Sequence, residues 1–180
     1  QAVKFVSDYN EQSGKNIIGY SNMHPYWSNN GYYSTDMTDK SCNYEKLVRM
    51  FLDEVKLPYL SYDKYPILGS DEDETAIVDQ EWFMNMALIR GWAQEYEIPF
   101  WVCLQTGSVY SDRAPNESEF MWMLNSALAC GAKGIEYFPG AHPMDGSDGM
   151  YENMDMGNLG IVELDGQNTQ YYYYSQKANV

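Results

Sequence analysis

Short apolar segments of the chain alternate with longer segments in which hydrophobic residues recur three and four positions apart. The segments with this helical spacing, which predict helices, are 2–12, 47–55, 82–96, 116–128 and 170–180. The short apolar runs, which predict strands, are 16–22, 58–65, 98–105 and 133–138. Because strands that alternate with helices pair in parallel through right-handed crossovers, this order predicts an α/β fold. Asn116 and Glu119 have the spacing of a capping box at the start of the fourth helix.

The predicted connections differ in length at the two ends of the sheet. Those from helix to strand contain few residues, whereas those from strand to helix are long and cover 23–43, 66–77, 106–115 and 139–158. In α/β sheets and barrels, ligands bind at the carboxyl ends of the strands, where such loops gather. We therefore expect a binding site at this edge of the sheet.

Four strand–helix units amount to half of an eight-stranded (β/α)8 TIM barrel, whose usual length is about 250 residues. The chain has 180 residues. It is therefore expected to form a single partial TIM-barrel domain over residues 1–180 and to be a fragment of a longer chain. An open half would expose two sheet edges and an apolar face, so its expected partner is the remainder of its own barrel or a second copy. A weaker alternative is an open α/β sheet with its ligand at a topological switch point.

Composition and charge narrow the classes of partner. With 44% hydrophobic and 16% aromatic residues, the chain has the composition of a packed globular protein. Its net charge of −15 opposes binding to nucleic acid and to anionic lipid. No apolar run approaches the roughly 20 residues of a membrane span, and any export signal is expected outside this chain. The three cysteines suggest free thiols, and no cofactor-binding motif is present.

Alternation along the predicted strands points to a pair of carboxylates. It places Asp63, Gln105 and Glu136 on the face opposite the helices. Two carboxylates above a barrel are the machinery of glycoside hydrolysis, in which one protonates the leaving oxygen and the other attacks or activates water. Asp63 is the first catalytic candidate and Glu136 the second. The alternative is that Asp63 is a hydrogen-bonded structural carboxylate and Glu136 a member of an interior ion pair.

Polar and aromatic residues near the same edge suit a sugar, because tyrosine and tryptophan rings stack on pyranose faces while polar groups bond the hydroxyls. The alternative for the loop aromatics is that they pack the loops onto the barrel. His24 and His142 lack a clear third ligand, so no metal site is predicted, and calcium in the acidic segment 144–155 is a minor possibility. The predicted substrate-binding residues are Asn22, His24, Trp27, Tyr62, Tyr65, Gln105, Tyr137 and His142.

The segments LSYDKYPI, IPFWVCLQ, ALACGAKGIEYF and LGIVELDGQNTQYYY carry a family resemblance. The chain resembles the C-terminal half of a (β/α)8 glycoside hydrolase of clan A, of the β-galactosidase-like kind common among gut bacteria. The resemblance implies that the strands are the fifth to eighth of the barrel and that the acid/base carboxylate lies upstream of Gln1. It also implies an extracellular or cell-envelope location.

The chain departs from this family at one position. The family's nucleophile is a glutamate at the end of the seventh strand, where this chain has Gln105. Asp63 or Glu136 then substitutes for it, or the nucleophile comes from elsewhere, or the protein binds glycans without cleaving them. The expected function is hydrolysis of an oligo- or polysaccharide through carboxylates without a cofactor, and the alternative is a non-catalytic carbohydrate-binding barrel.

Overall fold

The computed structural model describes residues 2–26, 43–69, 77–108, 113–141, 160–163 and 165–179. Five helices lie in these ranges: α1 Ala2–Ser13, α2 Tyr44–Val55, α3 Glu81–Glu95, α4 Glu117–Ala129 and α5 Gln170–Ala178. The strands in the same ranges are β1 Asn22–Met23, β2 Leu60–Asp63, β3 Ile67–Leu68, β4 Ile77–Val78, β5 Phe100–Gln105 and β6 Gly134–Phe138.

Four of these strands form one parallel sheet in the order β1-β2-β5-β6, so neighbours in the sheet follow one another along the chain. Helices separate successive strands of this sheet, and the predicted α/β fold with a parallel sheet is confirmed. The strands β3 and β4 form a separate antiparallel pair inside the connection 66–77, for which the sequence predicted only a loop. The order of the parallel strands is compatible with part of an α/β barrel.

The strand predicted over 16–22 is wrong for most of its length, because the ladder with β2 begins only at Asn22. The side chain of Asn10 on α1 explains the difference. Its amide donates to the Ile17 carbonyl at 2.7 Å and accepts from the Ile17 N–H at 2.9 Å. These two bonds satisfy the backbone groups that a neighbouring strand would otherwise pair.

The core lies between the parallel sheet and the helices. Alternation along β2 and β5 directs Leu60, Tyr62, Val102 and Leu104 towards this side, and all four are fully buried. The helices contribute the apolar residues of the predicted stripes, which are also fully buried: Val48, Trp82, Met86, Ile89, Phe120, Met123 and Ala127. Since this layer uses one face of each strand, the other face is left for the polar residues of the site.

A buried ion pair ties the carboxyl end of β2 to the start of α3. The ammonium group of Lys64 is buried and contacts Asp79 at 2.6 Å and Glu81 at 3.3 Å. Asp79 also accepts the backbone N–H of Glu81 at 2.8 Å. Because an unpaired buried ammonium is costly, these contacts fix where the hairpin returns to the helix layer.

The predicted capping box at α4 is confirmed. The Asn116 side chain accepts the backbone N–H of Glu119 at 3.0 Å, and the Glu119 carboxylate accepts the backbone N–H of Asn116 at 2.8 Å. After the helix, Gly131 adopts φ +99°, a left-handed conformation that glycine takes without a steric penalty. The chain then turns at once into β6, which carries Glu136.

We expect Asn116→Ala to lower the free energy of unfolding by about 1 kcal/mol, because it leaves the Glu119 N–H without its acceptor. Urea denaturation of the purified protein measures this change. Asn125→Ala, at an exposed position within the same helix, is the matched control and should not destabilise the protein. Equal stability of the wild type and the Asn116 variant would contradict the role of the cap.

Candidate functional site

The candidate site lies on the face of the sheet that the helices do not cover. In the ladder register, Asp63 is opposite Cys103 and Cys103 is opposite Glu136. Directly paired residues project to the same side of a sheet, so the two carboxylates share one face, as the alternation in the sequence predicts. The preceding row contains Asn22, Ser61 and Trp101. The site is thus two rows of side chains contributed by all four parallel strands.

A chain of hydrogen bonds connects the two carboxylates. The Asn22 amide donates to Asp63 Oδ1 at 2.5 Å, and the Ser61 hydroxyl donates to Asn22 Oδ1 at 2.9 Å. The Ser61 hydroxyl also lies 3.4 Å from the hydroxyl of Tyr20, which in turn donates to Glu136 Oε2. Asn22, Ser61 and Tyr20 therefore hold Asp63 and Glu136 in one connected network.

Neither carboxylate pairs with a lysine or an arginine in the described part of the chain. The buried cation closest in sequence, Lys64, is committed to Asp79 and Glu81. Glu136 therefore has no cationic partner within the described ranges. This arrangement leaves both carboxylates with polar, uncharged neighbours, to which His24 adds an electrostatic interaction with Asp63.

Burial raises the pKa of the Asp63 carboxyl above its ordinary value. The hydrogen bond from Asn22, the charge of His24 and a hydrogen bond with Tyr65 act in the opposite direction without cancelling the effect of burial. A carboxyl group whose pKa is raised in this way retains its proton to higher pH. That is the property required of a general acid.

Cys103 lies between the carboxylates and is buried. Burial and then the charges of Asp63 and Glu136 raise the pKa of its thiol far above its ordinary value. The sulfur is therefore a protonated thiol at neutral pH. A nucleophilic cysteine needs the opposite environment, so Cys103 acts as a small packing group between two acids.

Three stacked aromatic rings underlie the row of carboxylates. The ring of Tyr20 stacks on that of Tyr59 with centroids 6.1 Å apart, and Tyr59 stacks on Trp101 at 4.3 Å. Trp101 in turn lies across Gly134, where an added Cβ would come within 2.6 Å of the indole ring. A glycine at this position of β6 is what allows the indole to lie flat against the strand. We call Tyr20, Tyr59 and Trp101 the aromatic stack.

Gln105 and Tyr65 lie at the carboxyl edge, above the carboxylates. The ring of Tyr65 stacks on that of Phe138 with centroids 6.0 Å apart. Gln105 is fully buried, and its amide bonds the backbone N–H and carbonyl of Ile67, each at 3.3 Å, and the Arg113 carbonyl at 2.8 Å. The Gln105 side chain therefore anchors two loops at this edge of the sheet.

The structure brings together some of the predicted substrate-binding residues and separates others. Asn22 and Tyr65 contact Asp63, and His24 is exposed nearby. Tyr62 and Tyr137 project to the helix side, because they alternate with Asp63 and Glu136 along their strands. Tyr62 is fully buried there, and Tyr137 stacks on Phe120 of α4 at 5.7 Å. Trp27 and His142 lie outside the described residues, as does the whole acidic segment 144–155.

Sequence analysis missed Tyr20 as a member of the site. Tyr20 precedes Asn22 by two residues, so alternation along a strand places the two side chains on the same face. Tyr20 lies within the predicted strand 16–22, so this alternation is visible in the sequence. The partner of Tyr20, however, is on the far strand of the sheet, a contact that spacing along the chain does not reveal.

Over the ranges that the structure covers, no three His, Cys, Asp or Glu side chains are grouped so that they could hold a metal ion. No helix in those ranges is both long and apolar enough to cross a bilayer. Comparisons of the chain with models of protein families, with curated proteins and with solved structures find no match. Function is therefore inferred from the chemistry of the site itself.

We expect Asp63→Asn to raise the free energy of unfolding above that of the wild type, by an amount that grows with pH. The pKa of Asp63 is raised in the folded state, so the folded protein binds the proton more tightly than the unfolded chain does. The stability that this tighter binding adds is present below the ordinary aspartate pKa of 3.8 and is lost as pH rises through the pKa of the folded state. Urea denaturation between about pH 4 and pH 8 measures the difference between variant and wild type, which should widen and then level off.

Glu54→Gln, at an exposed position of helix α2, controls for the loss of one negative charge from a chain of net charge −15. A difference for Asp63→Asn that stays constant with pH, or that narrows, would contradict the raised pKa of Asp63.

We expect Tyr62→Phe to leave the protein as stable as the wild type or more stable. The Tyr62 hydroxyl is buried and has no hydrogen-bond partner among the described residues, so removing it relieves an uncompensated desolvation cost. Thermal and urea denaturation measure the change. A loss of about 1 kcal/mol or more would show that the hydroxyl has a partner in the folded protein.

Proposed function

We propose that this chain is part of a (β/α)8 barrel that hydrolyses the glycosidic bonds of an oligo- or polysaccharide. The observation that carries the proposal is the pair Asp63 and Glu136, two carboxylates on one face of a parallel sheet, joined by hydrogen-bonding side chains and without a lysine or arginine partner among the described residues. The parallel strands follow chain order, as they do in a barrel. The resemblance to clan A glycoside hydrolases points to the same class.

The separation of the carboxylates bears on the stereochemistry. Asp63 and Glu136 occupy one row and are two strands apart, which corresponds to about 10 Å between their Cα atoms. Inverting glycosidases hold their carboxyl groups about 6.5–9.5 Å apart to accommodate a water molecule, and retaining enzymes about 5–5.5 Å apart. We propose that the two carboxylates of this chain act as an inverting pair, one on the leaving oxygen and the other on water.

The environments of the two groups suggest their roles. Asp63, with its raised pKa, donates its proton to the glycosidic oxygen as that bond breaks. Glu136, whose Oε2 accepts a hydrogen bond from the Tyr20 hydroxyl, takes a proton from the water that forms the new bond to the anomeric carbon. The departing sugar carries the proton from Asp63, and the product hydroxyl keeps the remaining proton of the water.

The groups around the carboxylates suit a sugar substrate. Asn22 and Tyr65 contact Asp63 and are placed to position hydroxyl groups, and the Tyr65–Phe138 pair offers ring faces at the carboxyl edge. The proposed substrate is therefore a carbohydrate. The remainder of the barrel, supplied by the same protein or by a second copy, would enclose the other side of the substrate.

Gln105 favours a second candidate function, a barrel that binds carbohydrate without cleaving it. The resemblance places a nucleophilic glutamate at this position, whereas the Gln105 amide is buried and bonds the backbone of Ile67 and Arg113. An amide occupied in this way neither attacks a sugar nor accepts a proton. Binding without hydrolysis would follow if Asp63 and Glu136 only hydrogen-bond the ligand.

We expect Asp63→Asn to lower turnover of aryl glycosides by about 100-fold or more, because it removes the proton donor. The experiment uses the full-length protein, screened on a panel of aryl glycosides for release of the aryl group and on a glycan array for binding. Glu136→Gln should lower turnover similarly if the base belongs to this chain. It should have little effect if an upstream carboxylate takes that role.

Asp53→Asn on the outer surface is the control and should turn over substrate like the wild type. Wild-type turnover in Asp63→Asn would exclude Asp63 from the chemistry. Binding on the array without release of any aryl group would support the binding barrel over the hydrolase.

A further inference from the structure

Tyr20 connects the two edges of the parallel sheet. It lies two residues before the first residue of edge strand β1, and its hydroxyl donates a hydrogen bond to Glu136 on the opposite edge strand, β6. Three strand spacings separate these edges, or about 14 Å along the sheet. A tyrosine and a glutamate can meet over that span only when the sheet is curved. Their side chains then extend towards each other across its concave face.

The ring of Tyr20 does not reach Glu136 unsupported. About half of its surface is exposed, at 54%, yet the ring stacks on Tyr59 at an interplanar angle of 21°. Tyr59 is held on its other side by Trp101, with an angle of 14° between the rings, and its hydroxyl donates to the Gly19 carbonyl at 2.9 Å. Offset stacking of this kind restricts the orientation of each ring, so it also restricts where the Tyr20 hydroxyl lies.

The hydrogen bond from Tyr20 engages only one of the two oxygens of the Glu136 carboxylate. Oε2 accepts from Tyr20, whereas Oε1 accepts no hydrogen bond from the residues that the structure describes. A carboxylate with one oxygen held and one free has a defined direction in which to accept a proton. Ordering of this kind keeps a catalytic group close to its productive geometry.

We propose that Tyr20 is the positioning residue for Glu136, and that the aromatic stack sets the reach of the Tyr20 hydroxyl across the concave face. This inference rests on the proposed function for the role of Glu136, but the hydrogen bond itself is testable without any substrate. Burial and the Glu136 carboxylate raise the pKa of the Tyr20 hydroxyl well above its ordinary value.

The first test is an NMR titration of the protein labelled with ¹³C at the tyrosine ζ carbons. The Tyr20 signal is identified as the one lost in Tyr20→Phe. Its pKa should lie well above the ordinary tyrosine pKa of about 10. Glu136→Gln should lower that pKa, because the negatively charged acceptor is gone. A Tyr20 signal that titrates at about 10 in the wild type, or that is unmoved in Glu136→Gln, would overturn the proposal.

The second test separates positioning from packing. Tyr20→Phe keeps the ring in the stack and removes only the hydroxyl, and it should lower kcat about tenfold or more with little change in KM. Tyr173→Phe is the matched control, since Tyr173 is 57% exposed on α5, and it should behave like the wild type. Wild-type kcat in Tyr20→Phe would overturn a positioning role even if the hydrogen bond exists.

A third variant acts on Tyr20 from a distance. Gly134→Ala would bring a methyl group within 2.6 Å of the Trp101 ring, so the indole must move and the stack with it. We expect the Tyr20 pKa to fall in this variant although neither carboxylate is altered. Gly91→Ala on α3, where an added methyl meets nothing within 4 Å, is the control. If Gly134→Ala does not fold, Tyr20→Phe and Glu136→Gln still decide the question.

The proposed hydrolase activity and the proposed role of Tyr20 can be rejected independently of each other. If the wild type cleaves no glycoside but the pKa of Tyr20 is far above that of an ordinary tyrosine, the hydrogen bond is supported and the hydrolase function is rejected. A wild type that cleaves glycosides while Tyr20 titrates normally supports the hydrolase and rejects Tyr20 as the positioning residue.

Discussion

The register of the parallel ladder is the constraint on which the other features of this molecule depend. A slip of one residue in β2, β5 or β6 would move every side chain of that strand to the opposite face. Leu60 and Tyr62 would then leave the helix layer, and Asp63 would enter it. The fully buried apolar residues on the helix side therefore hold the carboxylates in place on the other side.

The same division shows how much of the molecule can be predicted from its sequence. Helical spacing and apolar runs predict the order of helices and parallel strands, and the capping box at Asn116 marks the start of α4 closely. These signals are local, since each depends on residues a few positions apart. The strand predicted at 16–22 failed because Asn10, on the preceding helix, takes the backbone groups of Ile17. The short β3–β4 pair escaped prediction because two-residue strands show no period.

The candidate site was predicted in part for the same reason. Alternation within a strand places Asp63 and Glu136 on one face without knowledge of the fold. Tyr20 and Ser61 belong to the site because of contacts across the sheet. Tyr20 contacts Glu136, 116 positions away along the chain, and Ser61, 41 positions away. Gln105 shows the converse: its position suggests a ligand-facing group, whereas its amide is taken up by loop backbone that sequence spacing does not place beside it.

The bonds between Asn10 and Ile17 have a consequence for how this sheet meets other chains. A sheet edge offers free N–H and C=O groups to any passing strand, and exposed apolar residues along it make such pairing more favourable. The segment before β1 contains exposed Ile17 and Ile18, yet Asn10 occupies both backbone groups of Ile17, and β1 is only two residues long. Asn10 of helix α1 therefore removes the Ile17 backbone groups from strand pairing, so that a strand added at this edge can pair only nearer to β1. A strand that adds to the sheet would find its longer template at β6, which spans five residues.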